Sequence, residues 1–226
     1  MLRPTAVLFD LDDTLIDRRA SIQTYAGVFA EQFKAGLQPI TASQLTEQII
    51  TADRGGYRPR PQVATALAAG LPWTANPDPQ IVLQHWMRHF PDCTVARAHA
   101  LMVVKTLHRQ GIIVGVVTNG AARGQNRKID TIGLRSYLST IVVSETAGIK
   151  KPDPQIFNSA LAEIQQPSAN VWFVGDHPVN DIIGAAGVGM TPVWLRGMHA
   201  WPTDHALPIH RIDGLDELLN MLPSAD

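Results

Sequence analysis

The chain has 226 residues, 45% hydrophobic and 17% charged, enough for one large domain or a domain with an insertion at about 150 residues per domain. That composition excludes a disordered chain and a coiled coil. Lys and Arg number 19 against 20 Asp and Glu, a formal net charge of −1, so there is no basic excess to hold nucleic acid. The only cysteine, Cys93, forbids an intrachain disulfide, which suits a reducing compartment. Apolar runs fall short of the about 20 residues a membrane span needs. The start, Met1-Leu2-Arg3-Pro4, lacks a signal-peptide layout. These features predict a soluble cytoplasmic protein with neither a nucleic-acid nor a membrane partner.

In chain order, Ala6–Asp10 is a strand of the fully buried type. Residues 17–96 then contain no comparable strand. Their spacing predicts helices over Ser21–Ala35, Ala42–Ala52, Pro61–Ala69 and Pro79–His89, separated by Gly and Pro breakers. From about residue 97, apolar runs rich in Val and Ile alternate with helical spacing. The runs are Ile112–Thr118, Ile141–Ser144, Val171–Gly175 and Thr191–Leu195. The helical segments are Gly124–Ile132, Pro154–Ile164 and Asp181–Ala186. Ile212–Leu222 closes the chain as a strand end and an amphipathic helix. The pattern predicts an α/β fold: a Rossmann-like, doubly wound parallel sheet over 1–16 and 97–226, with an all-helical cap inserted over 17–96. An insertion there is expected over the carboxyl ends of the strands, where such sheets bind ligands.

Four segments carry chemistry. The first strand ends in Asp10-Leu11-Asp12-Asp13-Thr14, and acids this close repel unless a cation or hydrogen-bond donors compensate. Oxygen ligands without a Cys or His cluster favour Mg²⁺; an acidic turn is the other reading. Val174-Gly175-Asp176 ends a second buried run, and Asp181 follows five residues later. Two parallel strands ending in carboxylates can share one hard cation, or Asp181 can cap the helix near Ile182, or both. Thr118-Asn119-Gly120 offers a hydroxyl, an amide and backbone N–H groups to an anion, although Asn-Gly is also a common turn. Lys151 precedes Pro152, where the backbone is held extended, and its ammonium can meet a phosphate oxygen or simply lie on the surface.

Taken in this order, these segments resemble the haloacid dehalogenase superfamily of phosphotransferases over nearly the whole chain. The Asp-x-Asp-x-Thr signature fits Asp10, Asp12 and Thr14. The Thr-Asn-Gly pattern fits Thr118, Asn119 and Gly120, with Gln125 and Lys128 following. Gly148, Lys151, Pro152, Asp153 and Pro154 fit the third pattern, and Gly175, Asp176 and Asp181 the fourth. His177-Pro178 departs from the pattern, since many members carry Ser or Thr and no proline there. The resemblance implies a helical cap and an aspartyl-phosphate mechanism on a small phosphorylated molecule. It makes Asp10 the nucleophile and Asp12 the acid–base group. Thr118 and Lys151 would hold phosphoryl oxygens, assisted by N–H groups near Leu11 and Asn119. Mg²⁺ would be held by Asp10, the Asp12 carbonyl, Asp176, and Asp181 directly or through water.

A dehalogenase of the same fold has no use for Asp12, because halide leaves without a proton. A phosphomutase and a non-catalytic phospho-ligand-binding protein remain alternatives. Arg54-Gly55-Gly56-Tyr57-Arg58-Pro59-Arg60 reads either as a solvated loop or as a flexible loop contacting the non-reacting part of the substrate through Arg54, Tyr57 and Arg58. Arg18 reads as a residue of the site entrance or of a solvated hinge. His85 and His89, four apart, are expected on a half-exposed helix face rather than on zinc.

Overall fold

A computed structural model describes residues 3–223. Two compact units emerge, Met1–Asp17 with Ala96–Asp226, and Arg18–Val95. Short strands, Ile16–Asp17 and Val95–Ala96, mark the two points where the chain passes between them. No helix among the described residues is long and apolar enough to cross a membrane.

The first unit is built on a six-stranded sheet. Its strands lie in the order Thr140–Val143, Ile113–Thr118, Ala6–Phe9, Val171–Gly175, Thr191–Leu195 and His210–Ile212, and every neighbouring pair is parallel. The alternation of a strand puts successive side chains on opposite faces. Val7 and Phe9 therefore enter one apolar cluster with Val114, Val116, Trp172 and Val174. Ala6 and Leu8 enter the other with Val117, Phe173 and Phe157. Both faces are covered, which is why the strands read as continuous apolar runs. The chain winds outward from the central strand first to one side and then to the other, so the order reverses around Ala6–Phe9. That is the position at which open α/β sheets bind ligands.

Pro154–Ile164 forms as the spacing predicts, capped by the Asp153 carboxylate accepting from Gln155 N at 2.9 Å, with Pro154 as its first residue. The helix Ala100–Arg109 covers one sheet face with Ala100, Val103, Val104 and Leu107. The apolar-run reading passes over it, although its spacing of three and four is helical.

The second unit contains the helices Arg18–Phe33, Ala42–Asp53, Arg60–Gly70 and Pro79–His89, a 3₁₀ turn at Phe90–Cys93, and one antiparallel bridge between Leu37 and Trp73. Thr41 and Gln44 form a reciprocal capping box at the start of Ala42–Asp53. The unit has its own apolar core, including Tyr25, Phe29, Leu45, Ile49, Leu67, Val82 and Trp86. His85 belongs to that core rather than to a half-exposed face. Its Nδ1 lies 2.8 Å from the Tyr25 hydroxyl, and its buried Nε2 has no hydrogen-bond partner among the described residues.

Burial, and then the neighbouring His89, push the His85 imidazole down from 6.5 to about 4. The unfolded chain therefore takes up a proton near pH 6.5 that the folded unit refuses until about pH 4. Stability is complete above the higher value and is lost as pH falls toward the lower one. Thermal melts should show a larger loss between pH 7 and pH 5 for the wild type than for His85→Phe. Equal losses would remove His85 as the source.

Candidate active site

The register of the sheet brings the motif residues together. Phe9 is level with Val116 on one side and with Val174 on the other. Asp10 thus emerges between the ends of the strands carrying Thr118 and Asp176. Asp10 N donates to Val174 O at 2.9 Å, which fixes the backbone where the strand stops. The chain then turns tightly. Leu15 N and Ile16 N both donate to Leu11 O at 3.0 Å, and Asp13 adopts a left-handed φ of 62°. Asp is among the few residues that tolerate this region. Arg97 Nη2 donates to Asp13 O at 2.7 Å and anchors the turn.

Asp10, Asp176 and Asp181 are all buried, and one carboxylate oxygen from each lies within 4.8 Å of the other two. Lys151 Nζ donates to Asp10 Oδ1 and to Asp181 Oδ1, both at 2.6 Å. Burial pushes Asp10 and Asp181 above the usual carboxylate range. Lys151 opposes that shift, and neighbouring carboxylates reinforce it. The same two carboxylates hold the Lys151 ammonium well above its ordinary value despite its burial. Asp176 accepts from Thr14 Oγ1 at 3.2 Å and lies 3.3 Å from His199 Nε2. Three buried carboxylates, two of them bonded to one lysine, bring hard oxygen ligands together, which fits a small divalent cation. The Asp12 carboxylate is not part of this group. Both of its oxygens lie 2.7 Å from Lys128 Nζ.

Thr118 ends its strand buried, with its hydroxyl accepting from Gln125 Nε2 at 2.7 Å. The Asn119 side chain grips the Lys151 backbone from both sides. Its Nδ2 donates to Lys151 O at 3.0 Å, and its Oδ1 accepts from Lys151 N at 2.9 Å. Lys151 is accordingly not a surface lysine, and the amide of Asn119 orients it.

The His177-Pro178 departure has a structural explanation. Pro178 opens a π-helical turn, Pro178–Ile183, and His177 caps it by accepting from Val179 N and Asn180 N, both at 3.1 Å. Asp181 returns the contact by accepting from His177 N at 2.9 Å. The cap is therefore His177 rather than Asp181, and the reciprocal bond aims the Asp181 carboxylate. Gly175 is needed for the same aim. A Cβ there would lie 2.4 Å from Asp181 Cβ.

In the helical unit, Arg18 is not a solvated hinge. It is buried, with Nε and Nη2 donating to Asp53 Oδ2 and Oδ1 at 2.7 Å each and its guanidinium 5.2 Å from the Phe90 ring. Arg60 Nη1 adds a third bond to Asp53 at 2.6 Å. Burial alone would raise the Asp53 carboxyl, but the two guanidiniums outweigh it and hold the group low. The Gly55-Gly56 loop is correspondingly fastened rather than free. Gly56 N and Arg58 N donate to Asp53 O, and Arg60 Nη2 donates to Gly56 O at 3.3 Å. Gly56 takes φ +88°, where a Cβ would lie 3.1 Å from Arg18 Cζ. Arg54 and Tyr57 are exposed and Arg58 is half-buried.

The family model of the haloacid dehalogenase-like hydrolases matches residues 7–195, and the chain belongs to that family. Among curated relatives, a pyrimidine 5′-nucleotidase of Escherichia coli is 33% identical over 110 residues, which cover 48% of this chain and 49% of that protein. The chain thus aligns with about half the length of that relative. A glyceraldehyde 3-phosphate phosphatase of Methanopyrus kandleri is 27% identical over 205 residues, 84% of this chain and 83% of the relative. Among solved structures, the magnesium-bound HAD-hydrolase YfnB of Bacillus subtilis shares the fold with a TM-score of 0.79 at 24% identity, covering 97% of this chain and 99% of that one.

Replacing Gly175 by Ala should displace the Asp181 carboxylate and destabilise the first unit by about 1–3 kcal/mol, the usual cost of overpacking. Urea denaturation measures it. A variant as stable as the wild type would show that the close approach at Gly175 is slack.

Proposed function

We propose that the chain is a Mg²⁺-dependent phosphatase that hydrolyses a small phosphate monoester through an aspartyl-phosphate on Asp10. The observation that carries this reading is the buried group Asp10, Asp176 and Asp181 at the carboxyl ends of adjacent parallel strands, with Lys151 bonded to Asp10 and Asp181. A phosphate monoester is a dianion, and a carboxylate can attack it only after the charge between them is offset. Asp10, Asp176, Asp181 and the Asp12 carbonyl would hold the metal, which when bound supplies that offset. Lys151 contributes a second, fixed positive charge. Thr118 accepts from Gln125, so its own O–H proton is the one it can present to a phosphoryl oxygen. Asp12 protonates the leaving oxygen and then takes a proton from the water that releases phosphate. The presence of Asp12 favours a phosphate over a halide, whose departure needs no proton. The relatives acting on nucleotides and on glyceraldehyde 3-phosphate support the same class of reaction.

Excess EDTA should abolish hydrolysis of p-nitrophenyl phosphate, and added Mg²⁺ should restore it. Asp10→Asn should remain folded without measurable turnover. Asp12→Asn should lose about 10²–10⁴-fold, the usual contribution of general acid–base catalysis. Full activity in EDTA, or a working Asp10→Asn, would refute the mechanism.

Substrate choice is assigned to Arg54, Tyr57 and Arg58 in the helical unit, where a guanidinium suits a second anionic group and the phenol a ring. Single alanine variants should lower kcat/KM for the best metabolite found by screening, while sparing p-nitrophenyl phosphate. If none changes the value for that metabolite by more than about 3-fold, the loop is only a connector, since a charged hydrogen bond contributes about 1.5–3 kcal/mol.

A further inference from the structure

Lys128 has no part in the chemistry described so far and Gln125 enters it only as the donor to Thr118, yet both reach Asp12. They lie three residues apart on the helix Ala122–Thr131, and therefore on one face of it. Both are buried, at 6% and 4% exposure. Lys128 Nζ donates to Asp12 Oδ1 and Oδ2 at 2.7 Å each. Gln125 Nε2 donates to Asp12 Oδ2 at 2.9 Å and to Thr118 Oγ1 at 2.7 Å. Both oxygens of Asp12 are thus held from one helix, and one amide group ties Asp12 to Thr118.

Burying an ammonium costs several kcal/mol, and an apolar pair of similar volume often stabilises a fold as well or better. Stability is therefore a poor reason for this arrangement. Geometry is a better one. The acid–base carboxylate sits on a tight turn with a left-handed residue beside it, where the turn alone does not fix its χ angles. A two-point grip fixes them. The shared amide also sets the distance between the group that would move the proton and the hydroxyl that would hold the phosphoryl oxygen.

We propose that Lys128 and Gln125 are positioning residues that hold the Asp12 carboxylate, and through Gln125 the Thr118 hydroxyl, in the geometry for proton transfer to the leaving oxygen. The proposal rests on the reading of Asp12 as the acid–base group. In effect, Lys128 acts through Asp12 and not on the substrate. Its removal must then matter most where protonation of the leaving group matters most, and must not matter once Asp12 cannot transfer a proton.

A double-mutant cycle tests this. Wild type, Lys128→Met, Asp12→Asn and the double variant are assayed with Mg²⁺ on p-nitrophenyl phosphate, whose leaving group needs little protonation, and on ethyl phosphate, whose leaving group needs much. Lys128→Met should lower kcat on ethyl phosphate by about 10- to 100-fold, the scale of a misplaced catalytic group. The loss on p-nitrophenyl phosphate should be smaller, and KM should stay within about 3-fold. In the Asp12→Asn background the same change should cost nothing further. Equal losses in both backgrounds, or a raised KM with kcat unchanged, would make Lys128 a substrate ligand and overturn the proposal. Ethyl phosphate turned over by Asp12→Asn at the wild-type rate would overturn the acid–base reading itself, and the proposal with it. If melting shows Lys128→Met unfolded, Lys128→Gln, which keeps an N–H donor, carries the cycle. Its loss on ethyl phosphate should be smaller than that of Asp12→Asn, and again absent in the Asp12→Asn background.

Discussion

Three carboxylates and one ammonium, buried together at the carboxyl ends of neighbouring strands, set the terms for the rest of this structure. Lys151 bonds Asp10 and Asp181, and Asp176 lies beside them, so the cluster holds more negative than positive charge if every group is ionised. Such an arrangement is unfavourable in a protein interior unless something holds it. Much of the surrounding architecture does so. The parallel register places two acid-bearing strand ends side by side, the Asn119 amide clamps the backbone of Lys151, and the reciprocal bond between His177 and Asp181 aims one carboxylate inward.

The same logic explains why the supporting residues are polar and buried. Thr14 steadies Asp176, and Trp194 Nε1 donates to the Asp176 carbonyl at 2.9 Å. Arg97 steadies the turn that follows Asp10. None of these groups needs to meet a substrate. Each removes a degree of freedom from a residue of the proposed site, which is how electrostatic preorganisation would be achieved there. The helical unit shows a separate economy of charge. Arg18 and Arg60 close on Asp53 inside it, and that ion cluster, rather than loose chain, shapes the loop carrying Arg54, Tyr57 and Arg58.

The sheet and the motif residues were legible because their constraints are local. A strand buried on both faces must be apolar at consecutive positions, and acids that end such strands stand out against them. What stayed hidden depends on contacts between distant positions. Gln125 and Lys128 were visible as part of a pattern, but their grip on Asp12 spans more than a hundred residues of sequence. Arg18 next to Arg19 reads as a site-entrance or solvated hinge residue, and its buried ion pair with Asp53 is not visible in the sequence. His199 comes from the connection after Thr191–Leu195, whose sequence carries no signal that it approaches Asp176. The helix Ala100–Arg109 differs, since the three- and four-residue spacing of Ala100, Val103, Val104 and Leu107 is itself a local signal.

The central claim is that the buried acid cluster is a cation site. Calorimetric titration of Mg²⁺ into the metal-stripped protein tests it most directly. The account predicts saturable binding of one ion per chain, a melting temperature that rises with Mg²⁺ concentration, and loss of both in Asp176→Asn. No binding heat and no shift in melting, or binding that Asp176→Asn retains in full, would contradict it.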